Sequence, residues 1–517
     1  MRFDDLMALS NKMFERHGPF ASMCQTLASH FNPMRADFTA ERSLTHDRTD
    51  HLIDSYPIMM ARDLCDSYGA MLRDGTDWAE IYVEDADQAG KEWLQFASQR
   101  LMRYRLDVKS GFRRATKQGD YDFGVLGQTV ISIEPNRNFN GILYRNWHLR
   151  DCAFAENEYG VVDHVHRKWK PEAYTLKAIF GAEALHPEIL KICDKDPMKQ
   201  VNVRHIFMPS QMYGKPEFER FEYVSLFIDM ENKAFIQETG LNYQYYIVPR
   251  FQTVAGSPYA YSPAAITALP NARALQAMTF TLMEAAERYA RPPIIATAKA
   301  VRSDVDLGPD GLTWVDHKYD ERLGAAIRTL PQDRGGYPIG KDMRQSVVDI
   351  LTASFYVDRL QLPETNHEMT AYEVRERMKQ YRQRNLPLFA PIEEEYNGQM
   401  CEADFRLAFS MGLLGSPHDV PQSLRGRKTN WRFKGPLSAV DEEKKVHQFR
   451  ETAELLAMAA QHDQLITANV DHEQAFRDAV GATGAPASWL RDMNEVMATR
   501  QATLQIAAQQ PQLENVA

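Results

Sequence analysis

Apolar positions recur at alternating spacings of three and four over much of this 517-residue chain, and in one central block they switch to alternation by two. The clearest stripe runs through Leu275, Met278, Leu282, Ala285 and Tyr289, inside the stretch Tyr259 to Pro293. That spacing predicts one long helix with a single apolar face. Ser262-Pro263 supplies its start, with a second start possible at Pro270, because proline fits only the first turn of a helix. Pro292-Pro293 stops it, since a proline forces the preceding residue towards extended geometry. On periodicity alone such a stripe is a core helix, and a helix this long needs a partner along its whole length.

Helical spacing also fills residues 1–118, through Leu6, Leu9 and Met13 and then Ile58, Ala61, Leu64, Cys65, Tyr68 and Leu72. Within it, Trp78 to Val83 reads as a short strand and Lys91 to Leu106 as helix again. Residues 119–255 change period: Gly127 to Ile133 alternates up to Pro135, and Ile142 to Trp147 comes after an Asn140-Gly141 turn. Val161 to Trp169, Val203 to Met208, Phe221 to Asp229 and Tyr243 to Pro249 extend this β-rich middle. A glycine-rich insert covers 294–340, helices return over 341–412 with a break near Leu362-Pro363, and the last hundred residues are helical and Ala/Gln-rich. The pattern predicts an α+β chain, mainly helical, with no internal repeat.

Composition narrows the function classes. Apolar content of 44% and charged content of 25% are those of a globular protein, and 517 residues predict two to four structural units. A net charge of −10 argues against tight, sequence-independent nucleic-acid binding, which depends on neutralising many phosphates. No apolar run reaches the roughly 20 residues of a membrane span, and the acidic, amphipathic start is unlike a signal peptide. Five scattered cysteines (Cys24, Cys65, Cys152, Cys193, Cys401) without a CxxC pair point to reduced thiols, with neither a zinc site nor a disulfide framework.

Three stretches invite a chemical reading and each fails a test. Gly335 to Asp342 nearly spells a phosphate-binding P-loop, but Asp342 stands where Ser or Thr would hold magnesium, and polar residues precede it. It is read as a turn feeding a helix. Asp304, Asp306 and Asp310 sit beside Gly308 and Gly311, yet Val315 occupies the position of the bidentate glutamate of a calcium loop. His164 and His166 share one face of a strand, with no third ligand at a metal-binding spacing, and are read as an exposed strand face. No GxSxG, HExxH or GxGxxG is present, so no catalytic residue, cofactor or metal is expected. Thr370 and Glu373 form a capping box opening a helix dense in Arg375, Arg377, Lys379, Arg382 and Arg384, which is by itself a solvated basic face. The polar stretch before it, Arg359 to Glu368, is a loop held between two helices, the kind of place where function sits.

The order of these parts resembles the head-to-tail connecting (portal) proteins of short-tailed bacteriophages, over roughly residues 45 to 450. The resemblance is carried by Ile53-Asp54-Ser55, Trp78 with its strand, Lys91 to Leu94, and Tyr121 to Gly127 as the approach to a central strand. It continues through Glu158 to Asp163 with Arg167, Ser262-Pro263 to Pro270, Arg291-Pro292-Pro293, Met369-Thr370-Ala371 with Glu373-Val374, and Gly435-Pro436-Leu437. Two departures stand out: Gly127-Gln128-Thr129 where relatives carry Gly-Thr-Gly, and Ala260 where a glycine is commoner.

The resemblance implies a ring of about twelve copies at one capsid vertex of the virion, assembled in the host cytoplasm. Double-stranded DNA would pass non-specifically through its channel at packaging and ejection. The partners implied are the terminase large subunit, a tail adaptor, and capsid and scaffolding proteins, with no membrane. The subunit would divide into a wing (1–255), a stem helix (256–290), and a small α/β clip (291–340). A second stem helix, tunnel loop and wing helix (341–412) and a helical crown (413–517) would complete it. Leu275, Met278, Leu282, Ala285 and Tyr289 would pack the ring. Arg359, Gln361, Glu364, Asn366 and His367 would face DNA, and Asp304, Asp306, Asp310, Lys318 and Arg322 would meet terminase or tail. The rivals are a packaging ATPase, which needs the P-loop that fails here, a shorter head–tail adaptor or tail-tube protein, and a cellular helical scaffold.

Overall fold

A computed structural model of the chain describes residues 2–297 apart from 41–46, 74, 76 and 85. It also describes 336–360, and 392–482 apart from 435 and 461–469, with isolated positions between and beyond these ranges. Asp304, Asp306, Asp310, Gln361, Glu364, Asn366, His367, the Thr370 cap and Gly435 lie outside the described residues.

The first segment is helical as its spacing predicts: α1 (Phe3–Phe31), α2 (Tyr56–Leu72), α3 (Gln88–Leu106) and α4 (Phe112–Leu126), with β1 (Ala79–Tyr82) between α2 and α3. Helix α4 corrects one expectation. Tyr121 to Gly127 is not an approach to a strand but the end of this helix, and Gly127 closes it at φ 86°, a left-handed conformation that suits glycine. A Cβ on Gly127 would also stand 2.7 Å from the Tyr261 carbonyl carbon, so the chain leading to the long helix passes too close for a side chain.

Two antiparallel sheets come next. Strands β2 (Val130–Pro135) and β3 (Ile142–Trp147) form a hairpin that takes in the short β9 (Tyr246–Ile247), in the order β3-β2-β9. The larger sheet has the order β4-β5-β6-β7-β8, built from Cys152–Glu156, Val162–Trp169, Val203–Pro209, Tyr223–Asp229 and Ala234–Leu241. The alternation in the sequence located β2, β3, β5, β6 and β7. Helices α5 (Ala173–Phe180) and α6 (Pro187–Lys195) cap one end of that sheet over Leu176, Ile189 and Val203, and the single turn α7 (Ser210–Tyr213) leads out of β6. The expectation of an exposed face at His164 and His166 is overturned: they are 4% and 0% exposed, because α1 lies across that side of the sheet.

The helical chain of the long stripe starts where Ser262 and Pro263 predict, as a π-helical segment, Ala264–Ala268, that runs into α8 (Leu269–Ala290). Ser262 Oγ accepts from the Ala265 amide while donating to the Val125 carbonyl at 2.6 Å. The helix ends at Ala290, before the double proline. Its partner α9 (Gly336–Ser354) opens at Gly336, five residues ahead of the 341 boundary, so Tyr337 to Lys341 are helical rather than a turn or phosphate loop. Two short strands, Ile294–Ala296 and Ile327–Thr329, pair antiparallel at the far end.

Helix α10 (Val357–Leu360) comes after α9, and α11 (Gln399–Ser410) returns into the body after a second π-helical stretch, Glu393–Gly398. Asn430–Phe433 pairs with β1, so chain beyond position 412 is knitted to the first segment. Helices Pro436–Ala460 and His472–Ala482 pack on one another after it. The mixed α+β architecture expected from the sequence is what the chain adopts.

Candidate functional site

The pair α8/α9 is buried only at the end where it joins the body. Ala272 and Leu275 are buried at its base, and every residue of α8 beyond Leu275 is half-buried or exposed. The two helices run antiparallel: Thr279 meets Arg344, a Cβ on Gly340 would stand 3.0 Å from Leu282 Cδ2, and the Tyr289 and Tyr337 rings meet edge to face at 5.9 Å. The stripe Leu275, Met278, Leu282, Ala285 and Tyr289 is thus the side of α8 that carries the contacts with α9 of the same chain. At 22 residues the helix is about 33 Å long.

A clamp from the first segment holds the base. Gln276 Oε1 accepts from the Ile53 and Asp54 amides at 2.8 and 2.9 Å, and its Nε2 donates to the Asp54 carbonyl at 2.6 Å. Arg344 Nη2 reaches Asp54 Oδ2 at 2.6 Å, Thr279 Oγ1 donates to the same oxygen at 3.0 Å, and the Tyr56 hydroxyl meets Thr352 Oγ1 at 2.6 Å. Partial burial works against the Asp54 charge, but the Tyr56 amide, Arg344 and Thr279 outweigh it and hold the carboxyl below its usual range. The motif Ile53-Asp54-Ser55, prominent in the sequence only by resemblance, is therefore where one segment grips both helices. Gln276, Thr279 and Arg344 carried no sequence signal, since a polar residue on a long helix looks the same whether it is clamped or solvated.

The outer surfaces of the pair are apolar in two separate places. Phe280 and Met283 are 50% and 54% exposed on α8, and Ile339, Met343 and Ile350 are 62%, 53% and 49% exposed on α9. At about 100° per residue, Met283 and Phe280 lie roughly 120° and 180° onward from the α9-facing line of α8. Ile339, Met343 and Ile350 lie roughly 80–120° backward from the α8-facing line of α9 through Gly340, Arg344 and Leu351. Because the helices are antiparallel, these opposite offsets put the two apolar stripes on opposite flanks of the pair.

Of the residues expected to meet DNA, Arg359 is described. It is exposed on α10, with its guanidinium 5.3 Å from the Tyr356 ring. Lys318 and Arg322 are exposed, and in sequence they fall between the two short strands at the far end of the pair. Glu373, Arg377 and Arg384 are helical and exposed. No group of three or more His, Cys, Asp or Glu is placed to hold a metal among the described residues. No helix described is long and apolar enough to cross a membrane.

The family model for the bacteriophage head to tail connecting protein matches residues 4–490. The chain belongs to that family. The resemblance to bacteriophage head-to-tail connecting proteins seen in the order of its sequence motifs is borne out. A protein called a probable portal protein in Bordetella phage BPP-1 is 23% identical over 420 residues, covering 78% of this chain and 73% of that protein. A chain from the virion of a native gene transfer agent particle shares 10% identity at a TM-score of 0.35, covering 82% of this chain and 94% of its own.

What anchors the pair in this connector chain is a body closed by buried ion pairs. Arg105 and Asp404, both fully buried, pair through Nε–Oδ2 at 2.5 Å and Nη2–Oδ1 at 2.9 Å, and Tyr144 donates to Asp404 at 2.7 Å. The Arg105 guanidinium also lies 5.0 Å from the Trp78 ring and 5.7 Å from Trp431, so one cation joins α3, α11, β3 and the β1 pairing. Arg73 pairs with Asp120 in the same interior, and Arg35 grips Asp122 through two bonds.

Proposed function

We propose that this connector chain is a portal subunit. Copies of it form a closed ring, of twelve by the family resemblance, at one vertex of the capsid, and the axial channel conducts double-stranded DNA during packaging and ejection. The observation that carries the reading is the helix pair with apolar stripes on opposite flanks. A two-fold dimer matches a surface patch to itself, whereas stripes on opposite flanks suit a head-to-tail contact in which one flank of a copy meets the other flank of the next. Such contacts close into a ring when the rotation per copy divides a full turn.

On this reading α8 and α9 are the stem, the segment between them is the clip that terminase and later the tail adaptor grip, and Arg359 leads into the loop that faces DNA. The net charge of −10 suits a conduit that lets DNA slide instead of holding it. Gln361, Glu364, Asn366 and His367 belong to the proposed tunnel loop, and Asp304, Asp306, Asp310, Lys318 and Arg322 to the proposed clip surface.

Electron microscopy of the purified protein in end-on view tests this. A closed ring of about a dozen subunits with an axial hole is the expected result. A monomer at every concentration, or an open filament, would end the reading. Packaging assays with Arg359→Glu test the conduit separately: unchanged DNA packaging and retention would remove that residue from the channel while leaving the ring intact.

A further inference from the structure

Helix α1 packs on two different parts of the molecule, with a weak point between its halves. Its Phe20–Phe31 part sits in the main core through Cys24, Leu27, Ala28 and Phe31, whereas Leu6 and Met7 belong to a separate cluster on the larger sheet with Ile206, Met208, Val224, Leu226 and Ile228. Between the two halves stand Gly18 and Pro19. Pro19 has no amide hydrogen to give to the Glu15 carbonyl, so the helix lacks a bond there, and nothing lies within 4 Å of where a Cβ on Gly18 would be. The arm Phe3–His17 is thus joined to the Phe20–Phe31 part through a turn that lacks one backbone bond.

Beneath the arm lies an accumulation of bases. Lys168 Nζ and the Arg204 guanidinium approach the Phe14 ring at 4.0 and 4.8 Å, and Arg204 Nη1 donates to the buried Ser10 hydroxyl at 2.5 Å. His164 and His166 are buried beside them with their Nε2 atoms 2.8 Å apart, a contact that needs one unprotonated nitrogen. His17 is buried among Phe14, Phe20, Phe154 and Tyr259, with no side-chain hydrogen-bond partner among the described residues and with the Leu149 backbone acting on its ring in favour of the charged form. Arg150 and Lys170 add positive charge near Lys168. Asp151 is the carboxylate that acts on both His17 and Lys168, and it is paired with Arg150 at 3.1 Å. The arm's own charges, Asp4, Asp5, Lys12, Glu15 and Arg16, lie on its outer side.

We propose that residues 3–17 form an acid-released arm: protonation of His17, His164 and His166 loads further positive charge onto Lys168 and Arg204 beneath the arm and detaches it at the Gly18-Pro19 hinge. Release bares the apolar face of β6 and β7. Burial pushes His17 and His164 down to about 4 and His166 well below its usual value, with Lys168 adding to the effect on His17 and His164 to that on His166. Linkage sets the direction. Imidazoles that are harder to protonate when the arm is docked favour docking fully above about pH 6.5, and that preference is lost as pH falls towards about 4. At pH 5, His17 and His164, each pushed down to about 4, shift the docking equilibrium roughly thirtyfold apiece.

Hydrogen exchange on the full chain, corrected for intrinsic rates, reads this directly. Between pH 7 and pH 5 the protection of amides 6–17 is expected to fall on the order of a hundredfold or more, while that of amides 21–31 is kept. Equal protection of the arm at both pH values, or loss of both halves together, would overturn the proposal. His17→Phe extends the aromatic cluster and removes one titrating group, so it is expected to shrink the pH step by roughly thirtyfold. A step of wild-type size in a His17→Phe, His164→Val, His166→Val variant would also overturn it, and if that variant fails to fold, the wild-type profile alone decides.

Discussion

Helices α4 and α8 are both amphipathic, yet they meet opposite fates. In α4, ten of 15 residues are buried, from Phe112 to Leu126, with α2, the β2–β3 sheet and the chain leading to α8 packed around it. In α8, two of 22 residues are buried. Both helices close their facing stripe inside the chain, but only α4 has neighbours on its other sides. A subunit whose body is finished and whose projecting helix α8 is open fits the proposed ring, in which neighbouring copies would cover what the chain itself leaves bare. The difference also predicts where a mutation is felt: within the body it should cost folding, and on the flanks of α8 and α9 it should cost assembly.

The largest effect should come from Asp404→Ala, which strands the Arg105 charge in the body. Chemical denaturation of the isolated subunit is expected to show a loss of about 3–5 kcal/mol. An unchanged midpoint would mean that the buried pair does not close the body. Next comes Leu275→Ala at the buried foot of the stripe, at about 2–4 kcal/mol, because a cavity opens where α8 joins the core. Gly127→Ala is expected to cost about 1–3 kcal/mol, combining a strained left-handed residue with a clash against Tyr261. The clamp is smaller. Asp54→Asn is expected to cost about 1 kcal/mol or less, since solvent screens a pair whose arginine is partly exposed. Because the Asp54 carboxyl is held below its usual range, its contribution is complete above about pH 4 and is lost as pH falls below that, so wild type and variant should converge in acid. Phe280→Ala should move subunit stability by less than about 0.5 kcal/mol. Its expected signature is a shift from ring to smaller species in sedimentation. If it instead destabilised the monomer as much as Leu275→Ala, the contrast between facing and outer sides of α8 would be wrong.

Periodicity was enough for α8, from its Ser262-Pro263 start to its Pro292-Pro293 stop, and for the strands of the middle block. It was misleading at Tyr121 to Gly127, where aromatic and glycine residues look like the approach to a strand but end a buried helix. It was also misleading at His164 and His166, because alternation marks which residues share a face and not whether another element covers it. The apolar stripe of α8 was legible as a face, but it was expected to pack against neighbouring copies and it meets α9 of the same chain, while the flank residues Phe280, Met283, Ile339, Met343 and Ile350 were not singled out. They sit at helical spacings as the facing stripe does, and periodicity does not say which of two apolar lines on one helix is covered.

The sequence by itself determined the local elements, the α+β class and the family, because those depend on spacing, on proline and glycine punctuation, and on the order of short motifs. Which long-range groups meet was decided by the tertiary structure alone. Arg105 and Asp404 are 299 residues apart in the chain, and Asp54 and Arg344 are 290 apart. A charge has no periodicity that names its partner, so only the packing of helices around one core brings such pairs together. The same holds for His17, which α1 turns onto Phe154 and Tyr259, and for the His164–His166 pair beneath α1, where burial turns ordinary imidazoles into groups that resist a proton.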